Sequence, residues 1–161
     1  WWSPDPRLVL EPAAFKLRRS LKQSIKKQGF EIRTNQRFRD IMCLCSSTRQ
    51  DREGTWISEE MIDAYVALHE EGVAVSFETY LNGNLVGGLY GVRIGRVLFG
   101  ESMVSLVPDA SKAALASLCQ EADRHQIELI DCQVPTSHRQ SLGASLITRE
   151  TFIERIGELM L

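Results

Sequence analysis

Few residues of this chain combine reactive groups with a setting that would sharpen them. In the run LIDCQ, Asp131 and Gln133 stand two apart at the end of an apolar stretch. In a strand both side chains then share one face, and Cys132 between them points to the other. Gln133 is no strong base, so a proton at this pair would be handled through hydrogen bonding. Glu101, in GESM at the end of a second apolar run, is a carboxylate whose burial is costly without a cationic partner. His69, His125 and His138 do not form a metal-ligand set by spacing, and Cys43, Cys45, Cys119 and Cys132 lack the paired CxxC pattern of zinc sites. Ser141, in SLGA, has no evident base and reads as structural. Trp56 stands in a loop before a helix signal, where a flat face serves either stacking or packing.

These residues must be positioned by elements that the hydrophobic spacing outlines. Residues 15–28, FKLRRSLKQSIKKQ, put Leu17, Leu21 and Ile25 on one helical stripe, with Arg18, Arg19, Lys22, Lys26 and Lys27 elsewhere on the surface and Gly29 as a stop. A short strand through Phe30–Arg33 and a helix around Gln36–Cys45 follow, and STRQDREG at 47–54 reads as a polar loop. Ser58 suits an N-cap for a helix over Glu59–Glu71 that ends at Gly72, with Met61, Ile62, Tyr65 and Leu68 at helical spacing.

VAVSFETYL, the pair Asn82-Gly83, NLVGGLYGVRI and, after Gly95, RVLFGESM form the most strand-like part of the chain. Asn-Gly between apolar runs is a strong hairpin signal, so an antiparallel meander is predicted. A helix over 109–123, capped by Asp109 or Ser111, precedes the short strand IELIDCQV. One helical turn over Ser137–Leu142 and a last helix over Thr148–Leu159, with Phe152, Ile153, Ile156 and Leu159 inward, complete the order. Helix, meander, helix, strand and helix make an α/β (α+β) layer fold. Its sheet is mixed and mostly antiparallel, flanked by helices, and by order alone it resembles an N-acetyltransferase-like (GNAT-like) fold.

With 161 residues, 43% hydrophobic and 25% charged, the chain fits one globular domain that buries roughly two-thirds of its unfolded surface. The formal net charge of −2 means that a polyanion would have to be met by a local cluster of Lys and Arg. No apolar run reaches 18 residues and no signal-peptide pattern opens the chain, which points to a soluble, cytoplasmic protein. The cysteine usage fits the same reducing compartment. A chain that opens on Trp1-Trp2 rather than Met is expected to be a fragment.

Seven stretches carry a resemblance: WWSPDPR at 1–7, GTWI at 54–57, LVGGLYGV at 85–92, GESM at 100–103, ASKAAL at 110–115, LIDCQ at 129–133 and SLGA at 141–144. In order and spacing the chain resembles the leucyl/phenylalanyl-tRNA–protein transferase family. The resemblance implies that 1–161 is a single catalytic domain of GNAT-like fold, without the family's small N-terminal domain and C-terminal tail. Val75 stands where the family often has His, Val104 where Phe follows GESM, and Leu89 where Met is frequent, departures that bear on pocket shape.

The implied reaction moves Leu or Phe, with Met left open as a third donor, from aminoacyl-tRNA to the N-terminal Arg or Lys of an acceptor protein. That transfer marks the acceptor for N-degron (N-end rule) degradation. No cofactor, metal or membrane is implied. Asp131 and Gln133 map to the reacting centre: the Gln133 amide oxygen would accept a hydrogen bond from the attacking amine, with Asp131 holding the Gln133 amide NH. Glu101 maps to the contact for the basic N-terminus. Leu89, Leu98, Phe99, Met103, Leu118 and Ile130 map to the aminoacyl pocket, each about as readily a core residue. Trp56 would stack on the terminal adenine, and Arg19, Lys22, Lys26 and Lys27 would meet acceptor-stem phosphates; the plain alternative for that helix is a solvated face.

Two rivals share this layout. A coenzyme-A-dependent acetyltransferase would wrap pyrophosphate with a glycine-containing loop ahead of the central helix, but Val104–Ser111 reads VSLVPDAS and holds no glycine. A non-catalytic RNA-binding module would have little need to keep Asp131, Gln133 and Glu101 together.

Overall fold

The structure, a computed structural model, describes residues 3–50 and 57–161. The hairpin signal is answered directly. Strands β3 (Ala74–Leu81) and β4 (Asn84–Ile94) are joined by Asn82 at φ 51° and Gly83 at φ 79°, the left-handed pair that matches strand twist. β5 (Val97–Ser105) completes the meander. With β1 (Arg7–Leu10), β2 (Glu31–Thr34), β6 (Leu129–Gln133) and β7 (Ser145–Ile147) it forms one sheet of order β2-β3-β4-β5-β6-β1-β7 among the described residues. Every pairing is antiparallel except β5 with β6, which the crossover through α4 (Ala110–Gln120) and α5 (Ala122–His125) makes parallel.

Alternation along the central strands divides the interior between two faces. Leu89 of β4 and Leu98 of β5 join Phe77, Leu115, Leu118 and Ile130 on the side of α4 and α1 (Arg19–Gln28). Tyr90 and Val104 join Phe38, Ile41, Met42 and Ile62 on the side of α2 (Phe38–Gln50) and α3 (Glu59–Glu70). A third cluster, Val9, Val97, Leu129, Phe152 and Leu159, lies under α7 (Arg149–Leu159). The Gly87-Gly88 pair lets helices press on both sides of β4. A Cβ on Gly87 would fall 2.7 Å from that of Ala110, and one on Gly88 would fall 2.9 Å from Ile41 Cδ1.

Several expectations shift. α1 begins at Arg19 rather than near Phe15, because a 3-10 turn over Pro12–Ala14 precedes it and the Lys16 N–H is taken by the Leu142 carbonyl. Leu17 still packs with Leu21 and Ile25, from an extended segment. α2 continues through part of the expected polar loop, to Gln50. The Ser47 and Thr48 hydroxyls return to the Leu44 carbonyl, so those polar side chains do not interrupt the helix. The rest of that run lies outside the described residues. The helix expected over 109–123 breaks at Glu121 into α4 and α5. Neither Asp109 nor Ser111 caps it by side chain; the Ser105 hydroxyl accepts the Ser111 N–H at 2.8 Å. Ile153, expected inward, is 58% exposed, because it stands 100° around α7 from the buried Phe152. Ser58 does cap α3, accepting the Met61 N–H, and Ser137–Ser141 forms the expected turn of helix, α6. β1 and β7, at four and three residues, are too short to show a period.

One buried charge organises the α2 side. Glu78 on β3 is fully buried, and its carboxylate accepts the backbone N–H groups of Gln36 and Arg37, at 2.9–3.1 Å, and the Ser76 hydroxyl at 2.7 Å. It thereby caps the entry to α2 from a neighbouring strand. Glu78→Ala strands those donors and is expected to lower urea stability by about 2–4 kcal/mol with an unchanged m-value. Glu78→Gln, which keeps an acceptor oxygen, should lose clearly less; equal losses would remove the capping role.

Candidate active site

β5 and β6 run side by side only over the pairs Val97/Leu129, Leu98/Ile130 and Phe99/Asp131. Beyond them the strands part, and a narrow cleft with about 50 Å3 of free room enters between them. Its wall is mostly apolar: Leu89, Leu98, Met103, Leu115, Leu118 and Ile130 line it, with Gly100, Glu101, Asp131 and Cys132 at the polar side.

Two bulges aim the polar residues. Tyr90 pairs with Ser102 and Gly91 with Gly100, so Glu101 is the extra residue of β5; Leu8 pairs with Gln133 and Val9 with Asp131, so Cys132 is the extra residue of β6. Cys132 keeps the expected alternation: it packs with Ile130 on the α4 side and lines the cleft there, while Asp131 turns to Arg7, whose guanidinium lies over Phe152 under α7. Burial pushes the Cys132 thiol up to about 11 and that of Cys119 up to about 12, which keeps both protonated.

Asp131 is fully buried and answered by a fork: Arg7 Nε donates to Oδ1 at 3.0 Å and Nη2 to Oδ2 at 2.6 Å. Oδ1 also accepts an N–H of Gln133 at 2.9 Å, but it is the backbone N–H and not the side-chain amide. The carboxamide instead donates through Nε2 to the Gly100 carbonyl at 2.8 Å, across the gap between the strands. Gln133 sits at φ 63°, which bends the strand end and overrides simple alternation. Its amide oxygen has no hydrogen-bond partner among the described residues.

Glu101 forms no ion pair among the described residues. Burial raises its carboxyl pKa above the usual value, a hydrogen bond from the Tyr65 hydroxyl partly offsets that, and the charge of Asp131 adds to the rise. Tyr65 is in turn pushed up to about 12 by burial and by the charge of Glu101.

Of the six residues expected in the apolar pocket, five line the cleft. Phe99 does not: one residue on from Leu98, it faces the opposite side of the sheet and packs on the cluster under α7. Arg19, Lys22, Lys26 and Lys27 are exposed on α1, which is fastened beside the start of α4 by Ser24 Oγ to Asp109 at 2.7 Å and Gln28 Nε2 to the Pro108 carbonyl at 3.0 Å. Trp56 lies outside the described residues. His69 is spent on the Ala74 carbonyl and on stacking against Phe38, and His125 meets the edge of Phe77.

The sequence profile of the leucyl/phenylalanyl-tRNA protein transferase family matches residues 9–157. The chain belongs to this family. The transferase of that name from Nitrosospira multiformis is 53% identical over 160 residues, covering 99% of this chain and 69% of its own length. That from Nitrosomonas europaea is 52% identical over 159 residues, covering 99% and 67%. Among solved structures, an aminoglycoside acetyltransferase from an uncultured soil metagenomic sample superposes with a TM-score of 0.52 at 13% identity, over 73% of this chain and 85% of its own. That likeness establishes the N-acetyltransferase-like fold expected from the element order.

Other parts of this transferase's site are not legible in the sequence pattern. Leu115 is a partial exception, standing one helical turn before Leu118, a spacing that could have found it. Tyr65 reads as helix packing from its spacing, and its meeting with Glu101 depends on where α3 docks. Arg7, inside the WWSPDPR motif, shows no role by pattern, and nothing local joins it to a partner 124 residues away.

The raised Glu101 pKa has a sign that can be measured. The folded chain holds its proton above the unfolded value of 4.5, so stability is fully present below that value and is lost as pH rises through the folded pKa. Glu101→Gln removes this loss. Its Tm is expected to exceed that of the parent at pH 7, by about 2–4 °C for each kcal/mol relieved, with the gain vanishing near pH 3. A gain that is the same at both pH values would remove the carboxylate as its cause.

Proposed function

We propose that this domain transfers Leu or Phe, with Met as a further candidate donor, from aminoacyl-tRNA to an N-terminal Arg or Lys of an acceptor protein, in the cleft between β5 and β6. Family membership carries the reaction class, aminoacyl transfer from tRNA to protein. One observation supports this cleft above all: a carboxamide with a free oxygen, fixed at the point where the strands part, beside an apolar wall.

The acceptor α-amine attacks the carbonyl carbon of the ester that joins the amino acid to the terminal ribose. A C–N bond forms, the C–O bond to the ribose breaks, and the amine proton ends on the departing ribose hydroxyl. The ester is already activated, so alignment supplies much of the acceleration. The Gln133 amide oxygen accepts a hydrogen bond from the attacking amine and steers its lone pair to the carbonyl. Asp131 fixes the Gln133 backbone. The wall of Leu89, Leu98, Met103, Leu118 and Ile130 takes the apolar side chain; such a wall separates substrates by only ~1–3 kcal/mol per methylene. Glu101, half-buried and without a cation of its own, meets the Lys or Arg side chain of the acceptor.

Arg19, Lys22, Lys26 and Lys27 meet the acceptor-stem phosphates and Trp56 stacks on the terminal adenine, interactions that read charge and shape. Marking acceptors for N-degron degradation and a cytoplasmic setting belong to the same reading. Among the described residues no helix is long and apolar enough to cross a membrane. An acetyl-coenzyme A reading is disfavoured at the start of α4. The Ser111 N–H is already given to Ser105, and the Asp109 carboxylate, held by Ser24 and Lys112, presents negative charge where a pyrophosphate would lie.

The decisive measurement is transfer of labelled Leu from charged tRNA to a peptide starting with Lys or Arg. Gln133→Ala is expected to cut turnover at least about a hundredfold with tRNA affinity nearly unchanged; full activity would remove Gln133 from the reaction. Lys26→Glu with Lys27→Glu should weaken tRNA binding and flatten its salt dependence, by about one unit of log–log slope for each phosphate no longer neutralised. Identical slopes would leave α1 as ordinary surface.

A further inference from the structure

We propose that Arg7 is a positioning residue of the transfer site, clamping Asp131 so that the bent strand end holds the Gln133 carboxamide at the cleft. The inference rests on the reading of Gln133 as the group that steers the attacking amine.

Both Asp131 oxygens are engaged, Oδ2 by Arg7 Nη2 at 2.6 Å and Oδ1 by Arg7 Nε at 3.0 Å and the Gln133 N–H at 2.9 Å. Fully buried and with both oxygens engaged by these donors, the carboxylate is a holder of Gln133 rather than an acceptor of the substrate proton. It holds a residue at φ 63°, a backbone setting that side-chain-bearing residues rarely adopt. Arg7 is itself fixed from two further directions: Nη1 donates to Ser3 Oγ at 3.1 Å, and the guanidinium lies 4.6 Å from the centre of the Phe152 ring.

The motif around Arg7 is anchored as well. Asp5 accepts the Arg149 N–H at the start of α7 at 3.1 Å, and Arg149 Nη1 donates to the Ser3 carbonyl at 3.3 Å. The segment Ser3–Arg7, whose residue types alone suggest no role, therefore ties to α7 through its Ser and Asp and to the end of β6 through its Arg. A buried ion pair is a poor source of stability compared with apolar side chains of similar volume, so its place in a cleft wall points to orientation. The other charges near Asp131 do not duplicate the clamp: Glu101 repels it, and Arg139 donates instead to the Cys132 carbonyl at 2.8 Å.

The test measures kcat and KM for leucyl-tRNA and for a Lys-initiated peptide in the purified protein. Arg7→Lys keeps the charge but lacks the fork. It is expected to lower kcat tenfold or more with both KM values within about twofold, and Arg7→Lys combined with Asp131→Asn should be no slower than the slower single variant. If Arg7→Lys fails to fold, Arg7→Gln with Asp131→Asn, which buries no unpaired charge, is compared with Asp131→Asn alone. Equal kcat supports the clamp and a further tenfold loss overturns it.

With Gln133→Ala impaired, an Arg7→Lys kcat within twofold of the parent, or losses that multiply with those of Asp131→Asn, overturns the role of Arg7 and leaves the site reading standing. Full activity of Gln133→Ala overturns that reading, and the clamp with it.

Discussion

Two strands that pair for three residues and then diverge leave backbone groups that a continuous sheet would have satisfied. At the end of β6 a buried carboxylate satisfies them: Asp131 takes the Gln133 N–H, Arg7 answers the charge, and the Gln133 side chain closes the gap to the Gly100 carbonyl. Burying the two ions carries a desolvation cost of several kcal/mol each, which only good geometry and additional hydrogen bonds offset. The fork supplies that geometry. The cleft depends on this arrangement, because a strand end without partners would either pair again and close the opening or fray into solvent.

Around that point the site divides its work between two kinds of wall. Alternation along β4, β5 and β6 sends aliphatic side chains toward α4 and builds a greasy lining that adapts to shape. The bulge in β5 adds Glu101 out of turn, facing Tyr65 of α3, and leaves it a half-buried carboxylate without a cation among the described residues. An unpaired acid in such a place is held against its own solvation preference. A cationic group placed beside it would relieve that tension.

The same fold carries acetyltransferases, and the start of α4 is where the two uses separate. Here the turn before the helix is tied down by Ser105, by Asp109 on Ser24 and Lys112, and by Gln28 on the Pro108 carbonyl. These bonds take up the Ser111 N–H and fasten the basic helix α1 beside the turn. Next to this turn the chain presents the exposed cationic face of α1, with Arg19, Lys22, Lys26 and Lys27.

Periodicity in the sequence determined the meander, the Asn82-Gly83 turn, the Ser58 cap, the apolar faces of α3 and α4, and the placing of Asp131 and Gln133 at one strand end. All of these rest on interactions between near neighbours in the chain. The family's motifs named Glu101 and six apolar residues, and Glu101 and five of the six line the cleft. Only the tertiary structure decided that Arg7 reaches Asp131, that Glu101 and Cys132 occupy bulges, that Phe99 leaves the pocket, and that Gln133 is held by its backbone while its side chain crosses to β5. Each of these depends on register and on pairing between segments far apart in sequence. A one-residue shift there moves a side chain to the other face, and no local pattern of residue types records it.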